Sequence, residues 1–209
     1  MPVISNIIFD LGGVILNLDN KRTEDAFSAM GAGRFREYFR PGFAASVFKE
    51  YEVGKINNSQ FLQSLRHLLP VDAPEASLIK AWNAMLLDIP PERVSLLEAL
   101  RRKYRLFLFS NTNALHLDAF REYYRRQYNN RELEDHFEKA YYSHLMGLRK
   151  PDTASFQHII DEQRLEPAAT LFVDDTLANV EGANQAGLKG FFLSPGMSIA
   201  DINWEKPLA

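Results

Sequence analysis

Short, almost wholly apolar runs recur along this chain and alternate with helical patterns, which constrains the fold more than any other feature. The runs lie at 3–9, 106–109, 139–142, 170–173 and 191–193. Helical patterns follow at 114–127, after Pro151–Asp152, and from about 177 to 186. Strands that alternate with helices at this spacing predict a parallel, doubly wound, Rossmann-like α/β sheet.

The segment between the first two runs interrupts this alternation. From residue 19 to residue 88 only helical patterns occur, as at 61–69, where Asn58 or Ser59 is available as the N-cap. The pair Pro90–Pro91 then starts a new helix, because proline suits the first helical position. We therefore predict an all-α cap subdomain at 19–88, inserted into an α/β core domain formed by 1–18 and 89–209.

Composition limits the classes of function. A chain of 209 residues can bury one core and a small subdomain, and a net charge of −3 argues against general nucleic-acid binding. The arginine- and tyrosine-rich segment 121–131 has glutamates in and beside it, which favours a solvated helix or a partner contact. With no cysteine, a disulfide framework, a thiolate metal site and a cysteine nucleophile are excluded. No run suggests a signal peptide or a membrane span, so we expect a soluble, cytoplasmic protein.

Polar side chains follow the predicted strands at the points where the strands end. They are Asp10, Ser110, Asn111, Lys150, Asp174 and Asp175. Open α/β sheets bind ligands outside the carboxyl ends of their strands, so we expect these side chains to converge. Gly12 and Gly13 follow Asp10 and let the backbone turn sharply and approach an anion.

This set of residues predicts chemistry on a phosphoryl group. Converging carboxylates repel one another unless a cation lies among them, and oxygen ligands favour Mg²⁺ over zinc. A lysine beside a divalent ion, with hydroxyl and amide donors, can neutralise and hold phosphoryl oxygens. A carboxylate in line can then attack phosphorus and form an aspartyl-phosphate. The expected partner is a small phosphorylated metabolite. The five histidines form no pair at metal-ligand spacing, and we predict that they are structural or surface residues.

The same motifs resemble those of the haloacid dehalogenase (HAD) superfamily over essentially the whole chain. The matching runs are 9–14, 109–112, 148–151 and 172–175, and the helical insertion is similar to the α-helical cap of that superfamily. Three further segments look most like the glucose-1-phosphate phosphatase-like branch, at 111–113, 149–151 and 179–184. The resemblance implies a sugar phosphatase with an aspartyl-phosphate intermediate.

The resemblance also implies a role for each site residue. Asp10 would be the nucleophile and a metal ligand, and the backbone carbonyl of Gly12 would be a second ligand. Lys150 would bridge nucleophile and phosphate, and Ser110 and Asn111 would hold phosphoryl oxygens. The pair Asp174–Asp175 would hold Mg²⁺, with Asp175 as the direct ligand and Asp174 in support.

One position departs from the pattern of the superfamily. Its phosphatases usually carry a second aspartate two residues after the nucleophile, where this chain has Gly12. That aspartate protonates the leaving alkoxide and then activates water, and its loss raises the barrier by about 3–5 kcal/mol.

Three interpretations follow. The preferred one is a phosphatase for a better leaving group, such as an anomeric sugar oxygen, with Asp19 at the cap junction as the nearest substitute acid. The others are a metal-independent haloacid dehalogenase and a catalytically weak or idle phosphate-binding regulatory protein.

Overall fold

The protein is described by a computed structural model that covers residues 3–38, 46–69 and 71–204. Its one sheet consists of five parallel strands: β1 (Asn6–Phe9), β2 (Arg105–Ser110), β3 (Lys139–Tyr142), β4 (Thr170–Asp174) and β5 (Lys189–Phe192). The strand order is β3-β2-β1-β4-β5. This arrangement confirms the predicted parallel α/β fold.

Strand β1 lies at the centre of the sheet, and its four residues are fully buried or nearly so, as expected for a parallel strand covered on both faces. Phe9 is in register with Leu108 on β2 and with Val173 on β4. The predicted start of this strand at Val3 is wrong, because β2 and β4 reach back only to the partners of Asn6. Val3 therefore has no neighbouring strand and is 86 % exposed.

The described residues form ten α-helices, which accompany the sheet or build the insertion. They are α1 (Asn20–Ala29), α2 (Phe35–Tyr38), α3 (Ser46–Glu52), α4 (Asn58–Leu68), α5 (Glu75–Trp82), α6 (Pro91–Leu100), α7 (Ala114–Gln127), α8 (Ser143–Met146), α9 (Thr153–Gln163) and α10 (Leu177–Gln185). Within the described ranges, no helix has the length and apolar character needed to cross a membrane.

The predicted cap of α4 is corrected by one residue. Asn57, rather than Asn58 or Ser59, is the N-cap, because its side chain accepts from the N–H of Gln60 while Gln60 accepts from the N–H of Asn57. This capping box satisfies two backbone donors. The Asn58 side chain instead accepts from the Tyr51 hydroxyl at 2.7 Å.

Helices α1 to α5 have a hydrophobic core of their own. Its aromatic rings stack in pairs, with Phe27 against Phe35 at 4.3 Å and Tyr51 against Phe61 at 4.0 Å between centroids. From outside the insertion, Leu115 of α7 joins this cluster of described residues. The separate core supports the predicted cap subdomain, whose limits of 19 and 88 stay a prediction.

The two connections between the sheet and the helical insertion are hydrogen-bonded to each other. The N–H of Asn17 donates to Asp88 at 2.9 Å, and the N–H of Asp19 donates to Met85 at 2.9 Å. Leu18 pairs with Leu86 between these bonds in a short antiparallel bridge. This pairing fixes where the insertion leaves and re-enters the sheet, directly beside the end of β1.

The basic segment 121–131 is held in ion pairs, as the interleaved glutamates predicted. Arg121 lies 2.6 Å from Glu134, and Arg125 lies 2.6 Å from Glu132. Arg126 and Arg131 are paired with glutamates as well. Each of these four arginines therefore has a glutamate partner, and they do not form a free basic patch.

Candidate active site

The sheet brings Lys150 into contact with two aspartates that are distant in sequence. Its ammonium lies 2.5 Å from Asp10 Oδ1, 2.8 Å from Asp174 Oδ2 and 2.9 Å from the carbonyl oxygen of Phe109. Lys150 is only 1 % exposed. All three N–H groups of the ammonium are thus used, and the lysine is fixed against the carboxyl ends of β1, β2 and β4.

The amide of Asn111 fixes the backbone of Lys150. It donates to the Lys150 carbonyl at 2.9 Å and accepts from the Lys150 N–H at 3.0 Å. One N–H and the carbonyl oxygen of the side chain are therefore used, which leaves its second N–H and the backbone N–H for a phosphoryl oxygen. Ser110, at the end of β2, is 4 % exposed and, together with Asn111, lines a cavity at this edge of the sheet.

The two adjacent aspartates after β4 have different environments. Asp174 is fully buried, and its oxygens accept from the N–H of Thr176 at 2.8 Å and from the Asn179 amide at 3.0 and 3.1 Å, in addition to Lys150. Asp175 is exposed to the cavity, and its side chain accepts from the Thr176 hydroxyl at 3.3 Å. The carboxylate oxygens of Asp175 therefore have more lone pairs free for a further ligand than those of Asp174.

Gly13 provides the room that Asp175 occupies. Its φ is +78°, and a Cβ at this position would lie 2.0 Å from Asp175 Oδ2. Any side chain at position 13 would therefore push the carboxylate away and strain the backbone. Here the glycine is required for a close approach as well as for the turn.

The donor set fits a hard divalent cation. One oxygen from each of Asp10, Asp174 and Asp175 can lie within 4.8 Å of the others, and three carboxylates against the single ammonium of Lys150 leave two net negative charges. Burial raises the pKa of Asp10 to about 7, an effect that Lys150 opposes and that Asp174 reinforces. Burial and Asp174 also raise the pKa of Asp175. A cation among these oxygens would relieve this repulsion.

The pKa of Lys150 is raised as well. Burial opposes its charge, but the neighbouring carboxylates of Asp10 and Asp174 outweigh that effect. The lysine is therefore a permanent ammonium at neutral pH and places a positive charge beside the nucleophile.

A cavity of about 460 Å³ extends from these residues to the two connections of the insertion. Its polar end is formed by the predicted site residues. Apolar side chains form much of the remainder, namely Leu16, Leu18, Met85, Leu86 and Phe120. All of the predicted site residues except Asp174, which lies behind Lys150, line this cavity.

His116 is a cavity residue that sequence reasoning missed. The Asn113 side chain accepts from the His116 N–H at 3.1 Å and donates to Nδ1 at 3.1 Å, so the ring proton lies on Nε2 and faces the Trp82 carbonyl at 3.2 Å. Burial lowers the pKa of His116 to about 4. Both ring nitrogens are used, and the neutral ring stacks on Trp82 of the insertion at 4.9 Å. The signal in the sequence is weak: an Asn–x–x–His spacing at a helix start.

Two further contacts concern residues near the predicted site. Arg149 lines the cavity and pairs with Glu52 of α3 at 2.5 Å, so the residue before Lys150 is bonded to the insertion. Asp19, the expected substitute acid, accepts from the N–H of Lys21 as the N-cap of α1 and does not line the cavity. Its carboxylate serves the helix start rather than the cavity.

The chain matches known proteins over most of its length. Its residues 4–187 match the model of the haloacid dehalogenase-like hydrolase family. It is 28 % identical over 194 residues to a D-ribitol-5-phosphate phosphatase from Bacteroides thetaiotaomicron, covering 90 % of this chain and 91 % of the relative.

Solved structures agree with this match. A HAD family enzyme from Bacteroides thetaiotaomicron has 30 % identity and a TM-score of 0.88, with 98 % of each chain covered. A second structure is an aspartate-to-alanine mutant of a HAD family enzyme from that organism, in complex with magnesium and inorganic phosphate. It has 31 % identity to this chain and a TM-score of 0.88, and the match covers 93 % of this chain and 96 % of that one. Together with the geometry of the strand ends, these matches show that this chain is an enzyme of the haloacid dehalogenase-like hydrolase family.

Proposed function

We propose that this protein is a Mg²⁺-dependent phosphatase that hydrolyses a small phosphorylated metabolite through an aspartyl-phosphate on Asp10. The observation that carries the proposal is the placement of the Lys150 ammonium between Asp10 and Asp174, with Asp175 in the same carboxylate cluster. This arrangement offers a nucleophile, a fixed cation and oxygen ligands at one point, which phosphoryl transfer requires.

Mg²⁺ would be held by Asp10, Asp175 and the backbone carbonyl of Gly12, with Asp174 in support. When bound, the ion supplies positive charge for the phosphoryl oxygens. In this assignment, Asp174 does not need a free oxygen, because it orders Lys150 and is itself held by Asn179.

The chain's own residues would then carry the reaction. The Asp10 carboxylate attacks phosphorus, and Lys150 positions that carboxylate and attracts the phosphoryl oxygens through its positive charge. Ser110 and Asn111 hold the remaining oxygens, and water next hydrolyses the acyl phosphate and frees the Asp10 carboxylate. The helical insertion contributes Asn20, Met85 and Leu86 to the wall of the cavity, which would limit the access of water to the site.

The substrate class we propose is a sugar or polyol phosphate. The similarity to a D-ribitol-5-phosphate phosphatase supports this class, as does a cavity that combines Asn20 and Arg149 with apolar walls. Its size of about 460 Å³ suits a small molecule.

The test is a screen of phosphorylated metabolites and p-nitrophenyl phosphate in Mg²⁺, with release of inorganic phosphate as the readout. Asp10→Asn should reduce release to background while the thermal unfolding of the variant with Mg²⁺ still shows a folded protein. The proposal fails if no compound releases phosphate, or if Asp10→Asn keeps the wild-type rate.

A second candidate function is a phosphate-binding protein with little turnover, which the glycine at position 12 favours. For that function, Mg²⁺ with a phosphate analogue should raise the melting temperature while phosphate release stays at background for every compound. Measurable turnover that depends on Asp10 would exclude it.

A further inference from the structure

One turn of the helical insertion lies directly on the start of α8, beside the active site. Helix α3 ends at Glu52, and the turn that follows it contains Gly54 at a φ of +70°. A Cβ on Gly54 would lie 2.1 Å from the carbonyl oxygen of His144 in α8. Because this obstacle is a backbone atom within a helix, it moves aside less easily than the end of a side chain. The contact between the turn and α8 therefore depends on the glycine.

The hydroxyl of Ser143 connects this turn to the loop after β2. Ser143 is fully buried, and its Oγ lies 2.6 Å from the Glu52 carbonyl oxygen and accepts from the Thr112 N–H at 2.9 Å. The Thr112 carbonyl oxygen is also near, at 3.0 Å. A hydroxyl has a single proton to donate, and the shorter distance assigns it to Glu52. Since Thr112 follows Ser110 and Asn111, this hydroxyl joins the insertion to the loop that would hold the phosphoryl oxygens.

The carboxylate of Glu52 reaches a second loop of the site. It accepts from Arg149 Nε at 2.5 Å, and Arg149 directly precedes Lys150. The two side chains are 25 % and 28 % exposed, so water screens this pair less than it screens a fully exposed one. The Asn111 amide in turn bonds the backbone of Lys150. The contacts thus form a closed ring through the loop after β2, the loop before α9 and Glu52, which belongs to the insertion.

We propose that Glu52 is a positioning residue for phosphoryl transfer, which holds the Lys150 backbone and the loop 110–112 in the correct places relative to each other. The inference rests on the proposed phosphatase function and deepens it. Arg149 lines the cavity but Glu52 does not. A residue that acts from behind the site should change kcat by a similar factor for every substrate, whereas a residue that only binds substrate should change KM.

The test measures kcat and KM in Mg²⁺ for p-nitrophenyl phosphate and for two phosphorylated metabolites of different size. Glu52→Ala removes the bond to Arg149 and should lower kcat by about 10- to 100-fold for all three compounds, because small displacements of reacting groups cost rate. The matched control is Glu24→Ala, which removes another ion pair of the insertion, with Arg36, from a glutamate that is 28 % exposed. This control should keep the wild-type kcat. Circular dichroism at the assay temperature checks that each variant is folded.

Three further variants test the same contact in other ways. Gly54→Ala should push the turn away from the His144 carbonyl and lower kcat as Glu52→Ala does. Its control is Gly31→Ala, since Gly31 also lies in the insertion with a positive φ but has open space around it, and this variant should keep the wild-type kcat. Glu52→Gln keeps an oxygen that can accept from Arg149 Nε, so it should restore most of the rate that Glu52→Ala loses.

The outcomes separate this inference from the phosphatase function. A wild-type kcat in both Glu52→Ala and Gly54→Ala would overturn the inference and leave the phosphatase function standing. A change in KM alone, or a fall in kcat for only some of the compounds, would do the same. If one of these two variants does not fold, the other decides. Absence of phosphate release from every compound with the wild-type protein would overturn both.

Discussion

Replacement of Lys150 by methionine should lower the free energy of unfolding by about 3–5 kcal/mol in EDTA. The ammonium is 1 % exposed and bridges Asp10 and Asp174 at 2.5 and 2.8 Å. Methionine keeps most of the apolar stem but leaves two buried carboxylates without their cation. The loss is a large part of the 5–15 kcal/mol or so by which domains are usually stable.

Guanidinium unfolding measures this loss directly. Asp174→Asn removes one of the two charges, so the double variant Lys150→Met/Asp174→Asn should be more stable than Lys150→Met alone by about 1 kcal/mol or more. Mg²⁺ should recover part of the stability of Lys150→Met, because the ion restores positive charge near the carboxylates.

A matched control separates this effect from the loss of an ordinary ion pair. Lys139 also pairs with a carboxylate, that of Glu162, but both side chains are about two-fifths exposed. Lys139→Met should therefore cost less than about 1 kcal/mol. A cost below about 1 kcal/mol for Lys150→Met, or a double variant no more stable than that single variant, would refute the electrostatic argument.

Three further outcomes are expected. Gly13→Ala should weaken Mg²⁺ binding, measured by calorimetry, because the added Cβ would displace Asp175. The control is Gly31→Ala, since Gly31 also has a positive φ but has open space around it, and this variant should bind Mg²⁺ normally. The pKa of His116 is about 4 in the folded protein and higher in the unfolded chain. The free energy of unfolding should therefore fall as pH falls from 6.5 towards 4, and between pH 7 and pH 5 this group should lower it by about 2 kcal/mol. Urea unfolding of His116→Asn should not show this loss. Chelation of divalent ions should abolish phosphate release, and chloride release from a haloacid that persists in EDTA would instead support a metal-independent dehalogenase.

Much of the site could be predicted because strand ends are visible in the sequence. Asp10 and Asp174 each follow a buried apolar run, and parallel strands must bring their carboxyl ends to one edge. The burial of Lys150 between them then follows from charge, since two carboxylates at that edge require a cation.

Other features depend on contacts that no local pattern specifies. The sequence predicts Asn111 as a ligand for phosphoryl oxygens, but it does not show that the same amide also holds the backbone of Lys150. The sequence predicts His116 as a structural or surface residue, and it cannot choose between the two because the ring of Trp82, 34 residues away in the insertion, packs on it only in the folded protein. Asp19 looks available as an acid, but it begins a helix and therefore caps it.

The sequence by itself determined the sheet, the helical insertion and the strand ends that carry the carboxylates and the lysine, because apolar periodicity and turn residues are local properties. It also showed that position 12 has no acid. Only the tertiary structure decided what fills that space, because Leu18 reaches Gly12 through the pairing of two connections nearly 70 residues apart. The tertiary structure likewise decided that Asp175, rather than Asp174, stays open to the cavity. The groups that donate to Asp174 come from separate elements of the fold, and the room for Asp175 depends on Gly13, which follows a different strand.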